Sequence, residues 1–217
     1  MQVEFANANV VIAARHLNPS VFNQLWLVDN EIVARDEFTS GCVFSEMIVN
    51  VHTNRFRLFV SPEQLQFVPA KFDEDTATLL QQVLVRIVQG VPHTPYTAVG
   101  LNFVWLAADD QLGDLSRSLF FRPSQPLYEA FNVEDARFGC YLSRELLGGR
   151  LKLEIKPATV RKDDDEFPTE RLQFAFNLHY DIQAGTDAAS QIEAILSHWA
   201  DAKNEVIRLI DISGAER

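Results

Sequence analysis

Arg55-Phe56-Arg57-Leu58 and Arg150-Leu151-Lys152-Leu153 share one alternation: basic, apolar, basic, apolar. A period of two is the signature of a half-buried β-strand, because successive side chains point to opposite faces. Each segment follows a turn, read at Thr53-Asn54 and at Gly148-Gly149. Upstream of each turn stands Gly-Cys-x-x-Ser, as Gly41-Cys42-Val43-Phe44-Ser45 and Gly139-Cys140-Tyr141-Leu142-Ser143. Downstream come Gln64-Leu65-Gln66-Phe67 and Arg171-Leu172-Gln173-Phe174. Three matches in the same order point to an internal repeat.

Working outward, strands are expected over residues 9–14, 43–51, 55–60, 65–68, 97–106, 136–146, 150–156 and 172–182. Asn18-Pro19-Ser20 reads as a helix start, with a cap followed by proline. A short helix through Phe22, Leu25 and Trp26 follows. A strong helix is expected over 73–89, with acidic residues in its first turn and Leu79, Leu80, Val83, Leu84, Ile87 and Val88 on one face. Another is expected over 109–120, before an irregular segment with Pro123 and Pro126, and a long closing helix over 187–210. The expected fold is α+β: two internally duplicated βαβββα units, residues 1–94 and 95–217, form one curved antiparallel sheet with long helices packed on one face.

This order of elements resembles the TATA-binding-protein-like fold, in which two such units share a curved sheet with helices on its convex side. The resemblance implies a concave saddle. A second resemblance is to sporadically distributed bacterial proteins of this layout. It rests on Asn9-Val10-Val11-Ile12, on the hairpin from Ile48 to Leu58, and on Tyr96-Thr97-Ala98-Val99-Gly100-Leu101-Asn102-Phe103. It implies no catalytic residues.

Composition supports a folded, water-facing chain. The 217 residues are 47% hydrophobic and include 16 Phe, enough for broad buried sheet faces. The net charge of -11 disfavours long-range attraction to nucleic acid. No basic-then-apolar leader and no apolar run of about 20 residues stands in the sequence, so a cytoplasmic location without membrane insertion is expected. Cys42 and Cys140 are too few for a disulfide scaffold or a four-cysteine zinc site.

Motifs for catalysis are missing. There is no GxxxxGK[ST] or GxGxxG, and His16, His52, His93, His179 and His198 have no zinc-ligand spacing. His179 and Asp181 share a strand face, but Tyr180 between them points the other way. Asp163-Asp164-Asp165-Glu166 has no calcium-loop spacing and reads as a solvated loop. No catalytic residue, cofactor or metal ligand is therefore expected.

The alternation places Arg55, Arg57, Gln66, Arg150, Lys152 and Gln173 together on the sheet face away from the helices. This basic–amide stripe is the candidate interaction face, set against the alternative of a face that is merely solvated. Three functions follow. The first is a non-enzymatic interaction or scaffold subunit of a bacterial multi-component system, holding a protein partner or a second copy through the sheet face or edges. The second is a nucleic-acid-associated protein using the stripe. The third is a small-ligand binder or an enzyme without a recognised motif. Aromatic wedges of a DNA saddle are not repeated: Phe59 in one half is answered by Glu154 in the other.

Overall fold

The computed structural model describes residues 2–108, 112–122, 124–161, 168–183 and 187–213. The chain is α+β. Among the described residues there are nine strands: β1 (Gln2–Ala14), β2 (Val43–Phe44), β3 (Val49–His52), β4 (Phe56–Val60), β5 (Gln64–Pro69), β6 (Tyr96–Ala108), β7 (Cys140–Leu146), β8 (Gly149–Val160) and β9 (Thr169–Asp181). The helices are α1 (Gln24–Asp29), α2 (Thr76–Gly90), α3 (Leu112–Phe120), α4 (Pro126–Ala130), α5 (Ala188–Ser197) and α6 (Trp199–Ile212). One sheet holds all nine strands in the order β2-β3-β4-β5-β1-β6-β9-β8-β7, and every pairing is antiparallel.

Alternation sorts the sheet into two faces. Val10, Ile12, Leu58, Leu65, Phe67, Leu101, Phe103, Phe174, Phe176 and Leu178 are buried. They join one core with Leu80, Leu84 and Ile87 of α2, Ile192 and Leu196 of α5, and Trp199, Val206 and Ile210 of α6. Their strand neighbours on the other face stay partly exposed, Val11, Phe59, Val68 and Val104 among them. A bulge between Phe5 and Asn7 shifts the β1 register and sets Phe5 opposite buried Trp105. Aromatic rings cluster between the sheet and α6. Phe103 lies 4.7 Å from Trp199 between ring centroids, and Phe72 stacks on Phe5 at 4.0 Å.

Several elements differ from expectation for identifiable reasons. The strand expected over 43–51 is two strands, β2 and β3. Ser45 makes the break: its hydroxyl donates to the Ile48 carbonyl at 2.8 Å and accepts from the Ile48 N–H at 3.0 Å. The second hairpin turns at Leu147-Gly148, not Gly148-Gly149. Both residues have positive φ, and Gly149 already pairs with Leu146 in the ladder. The expected closing helix divides at His198 into α5 and α6. The irregular segment contains α4, opened by Pro126 at a first-turn position. Residues 109–111 of the expected third helix and the acidic run Asp163 to Glu166 lie outside the described residues.

The matched motifs do not all occupy matching rungs. Leu58 faces Phe67, whereas Leu153 faces Phe176 and Phe174 faces Ile155. Cys140 begins β7, which pairs with β8. Cys42 precedes β2, one strand further out than β3, the partner of β4.

Two buried tyrosines tie stability to alkaline pH. Burial pushes the Tyr96 phenol up to about 12, with a hydrogen bond to Thr94 pulling the other way, and burial alone pushes Tyr180 up to about 12. A phenol whose native value is raised holds its proton more tightly when folded. Stability is then complete below the ordinary phenol value of about 10 and falls as pH climbs towards 12. A base titration followed by phenolate absorbance and circular dichroism should show these two phenols ionising together with unfolding. Their ionisation near pH 10 with the fold intact would contradict the burial described.

Candidate interaction face

Cross-strand neighbours in a sheet share a face, so the registers define rows across the open side. One row runs Asn50, Phe59, Gln66, Val11, Gly100, His179, Arg150, Glu145. In the adjacent row His52 faces Arg57 and Arg57 faces Val68 on one side of the sheet. Asn9, Asn102, Asn177, Lys152 and Ser143 face one another in turn on the other. Arg57 on β4 and Lys152 on β8 are five strand spacings apart, about 24 Å at the usual interstrand distance.

The centre of the second row is an amide ladder. The Asn102 side-chain amide donates to Asn9 Oδ1 at 2.9 Å, and the Asn177 amide donates to Asn102 Oδ1 at 2.7 Å. Three strands far apart in sequence thus present one chain of amides, half-buried, at the middle of the sheet. Gly100 makes the room. A Cβ there would stand 2.9 Å from Asn177 Nδ2. Among the described residues each end of the ladder keeps unused hydrogen-bonding capacity: the Asn9 amide NH2 at one end and the Asn177 amide oxygen at the other.

The six expected face residues separate into groups. Arg57, Gln66, Arg150, Lys152 and Gln173 lie on the open face by register. Arg55 does not. It sits in the turn before β4, and its guanidinium grips Glu37 through Nε at 2.7 Å and Nη2 at 2.8 Å. Partial burial works to raise the Glu37 carboxyl. Hydrogen bonds from Arg55 and the Ala34 N–H, with the guanidinium charge, outweigh it and hold the carboxyl below its ordinary value. Arg150 is also engaged, donating to Glu145 at 2.9 Å and to Ser143 Oγ at 2.7 Å. Lys156 pairs with Glu154 and His179 with Asp181. Arg57 and Lys152 make no ion pair with any described residue, so the unspent charge in the ladder row is positive.

No protein-family model matches the chain. A search of curated proteins likewise finds no match.

Other features carry less chemistry. His179 Nε2 lies 3.2 Å from Asp181 Oδ1, both on the open face. Burial raises the Cys140 thiol, which lowers its thiolate fraction. Cys42 Sγ accepts the His52 N–H at 3.2 Å. A depression of about 410 Å³ at the start of α2 is lined by Arg55, Lys71, Asp73 and Thr76, but the Thr76 hydroxyl is already donated to the Lys71 carbonyl. A cleft of about 250 Å³ under α6 is bounded by Phe5, Phe72, Trp105 and Lys203, with the Lys203 ammonium 4.4 Å above the Phe72 ring. Among the described residues no group of three or more His, Cys, Asp or Glu is placed to hold a metal ion. No described helix is long and apolar enough to cross a membrane.

The amide ladder was not anticipated from sequence. Its signal was available: asparagine is disfavoured in strands, yet Asn9, Asn102 and Asn177 each interrupt an apolar strand run at the polar-face position.

Proposed function

We propose that this chain is a non-enzymatic interaction subunit of a bacterial, cytoplasmic multi-component system. It holds a protein partner, or a second copy, through its sheet. The observation that carries this reading is the Asn9–Asn102–Asn177 ladder, with Arg57 and Lys152 flanking it in the same row. A face that only meets water has no need of three aligned amides over a glycine that leaves room for one of them. Side-chain amides with unused donors and acceptors suit a polar protein surface, and two unpaired cations suit acidic groups on it.

The same reading treats the chain as two βαβββα units, 1–94 and 95–217, in a curved sheet of the TATA-binding-protein-like kind. Supporting it, β1 pairs with the last strand of its own half, β5, and β6 pairs with the last strand of its half, β9. The two first strands meet at the centre.

Arg57→Glu with Lys152→Glu is the test. Both side chains are outside the core, so the fold is retained. Partner capture from the native cell should be lost, and a wild-type level of capture would overturn the role given to this face. A salt-dependent shift of DNA or RNA by the wild-type chain, absent in the variant, would move the face to the nucleic-acid reading.

A further inference from the structure

We infer that β7 is a self-pairing edge and that two copies of this chain join there about a twofold axis into one continuous sheet. This rests on the interaction-subunit reading but not on the amide ladder.

The two edges of the sheet are not alike. Natural sheets blunt their edges by brevity, charged side chains (lysine above all), proline or bulges, because an open edge templates pairing with another chain; the two charged residues of β7 are both already paired, Arg144 with Glu205 and Glu145 with Arg150. The β2 edge is only Val43–Phe44. The β7 edge is seven residues, Cys140-Tyr141-Leu142-Ser143-Arg144-Glu145-Leu146, without lysine or proline. Its register with β8 runs unbroken from Cys140–Ile155 to Leu146–Gly149. No backbone group in it bonds a described segment other than β8. Tyr141 is 62% exposed and Leu142 57%, on opposite faces of the strand. On the helix side an apolar groove of about 160 Å³ continues from Leu142 through Leu151, Leu153 and Leu209.

The strand complements itself. Across a twofold axis, opposed residues share a face only if the axis passes through a residue. Ser143 is the middle of β7, and an axis there engages all seven residues. Leu142 then lies against the second copy's Arg144, Tyr141 against its Glu145, Cys140 against its Leu146, and no like charges oppose. An axis through Arg144 would set two guanidinium groups together, and one through Leu142 would use a shorter stretch. Arg144 is already held in place by Glu205, which also takes Arg208 at 2.7 Å and 2.8 Å. Its stem is thereby fixed beside the strand as a surface for the opposing Leu142. Each copy carries -11, so the overall charge opposes association and added salt should favour the dimer by screening it. Contacts through Arg57 and Lys152 would weaken under the same salt.

The experiment uses the full chain. Sedimentation equilibrium should give a dimer that tightens with salt. Tyr141→Lys with Leu142→Lys, both surface changes, should weaken it by about tenfold or more. In a Cys42→Ser, Cys140→Ser background, Ser143→Cys should cross-link to its twin on mild oxidation, because directly opposed residues lie within disulfide reach. A chain that stays monomeric at all concentrations, or a dimer indifferent to the lysines and uncross-linked at position 143, overturns the inference. In that event a capture that still depends on Arg57 and Lys152 leaves the interaction-subunit reading standing.

Discussion

Phe103→Ala will cost about 3–5 kcal/mol of stability, the range for emptying a fully buried aromatic site. Phe103 is 0% exposed, at the centre of β6. Its ring sits 4.7 Å from Trp199 of α6, 6.0 Å from Phe72 before α2 and 6.5 Å from Trp105 on its own strand. These partners come from the sheet, a connection and a helix, so no single movement closes the space left behind. Phe59→Ala is the control. It removes the same ring from the open face, where Phe59 keeps part of its surface in water, and should cost far less. Urea denaturation of both variants, with the slope checked for constancy, separates the cases. Equal losses would mean that the helices do not cover the face described.

Gly139→Ala should cost about 1–3 kcal/mol by forcing overpacked backbone apart, and it should loosen one edge of the sheet in particular. A Cβ at Gly139 would stand 2.2 Å from the Ile155 carbonyl oxygen and 3.4 Å from the Lys156 Cα. The obstacle is main chain, so no side-chain rotation relieves it. The start of β7 must lift away from β8, beginning at the Cys140–Ile155 rung. Amide hydrogen exchange should rise across Cys140–Leu146 while the β4–β5 hairpin keeps its protection. Unchanged exchange in β7 would show that the strand does not begin against Ile155.

The sequence was most readable where one side of a strand is buried and the other is not. Phe56, Leu58, Leu65 and Phe67 alternate with Arg57 and Gln66, and their burial follows that alternation. Long-range partners left no such trace. The grip of Glu37 on Arg55 removes Arg55 from the face, and no local pattern announces a partner eighteen residues away. Ser45 ends a strand by bonding Ile48 without glycine or proline to mark the turn. The division at His198 is equally silent. Ile192, Ile195, Leu196, Trp199, Ala202, Val206 and Ile210 keep helical spacing straight through it, because buried positions on both helices face the same sheet. The amide ladder depends on the registers of β1, β6 and β9, which are set by tertiary pairing.

The pairing of β1 with both β5 and β6 has a consequence for how the chain is made. A ribosome delivers β1 first, and β5 can close one of its sides once residues 64–69 emerge. The other side waits for Tyr96–Ala108. During that interval the first-made half carries Val10 and Ile12 on a long, apolar strand with unsatisfied main-chain groups along one side. The central seam of the finished molecule is thus the most vulnerable edge of the nascent one. Slowed translation between β5 and β6 would prolong that exposure and favour aggregation over folding.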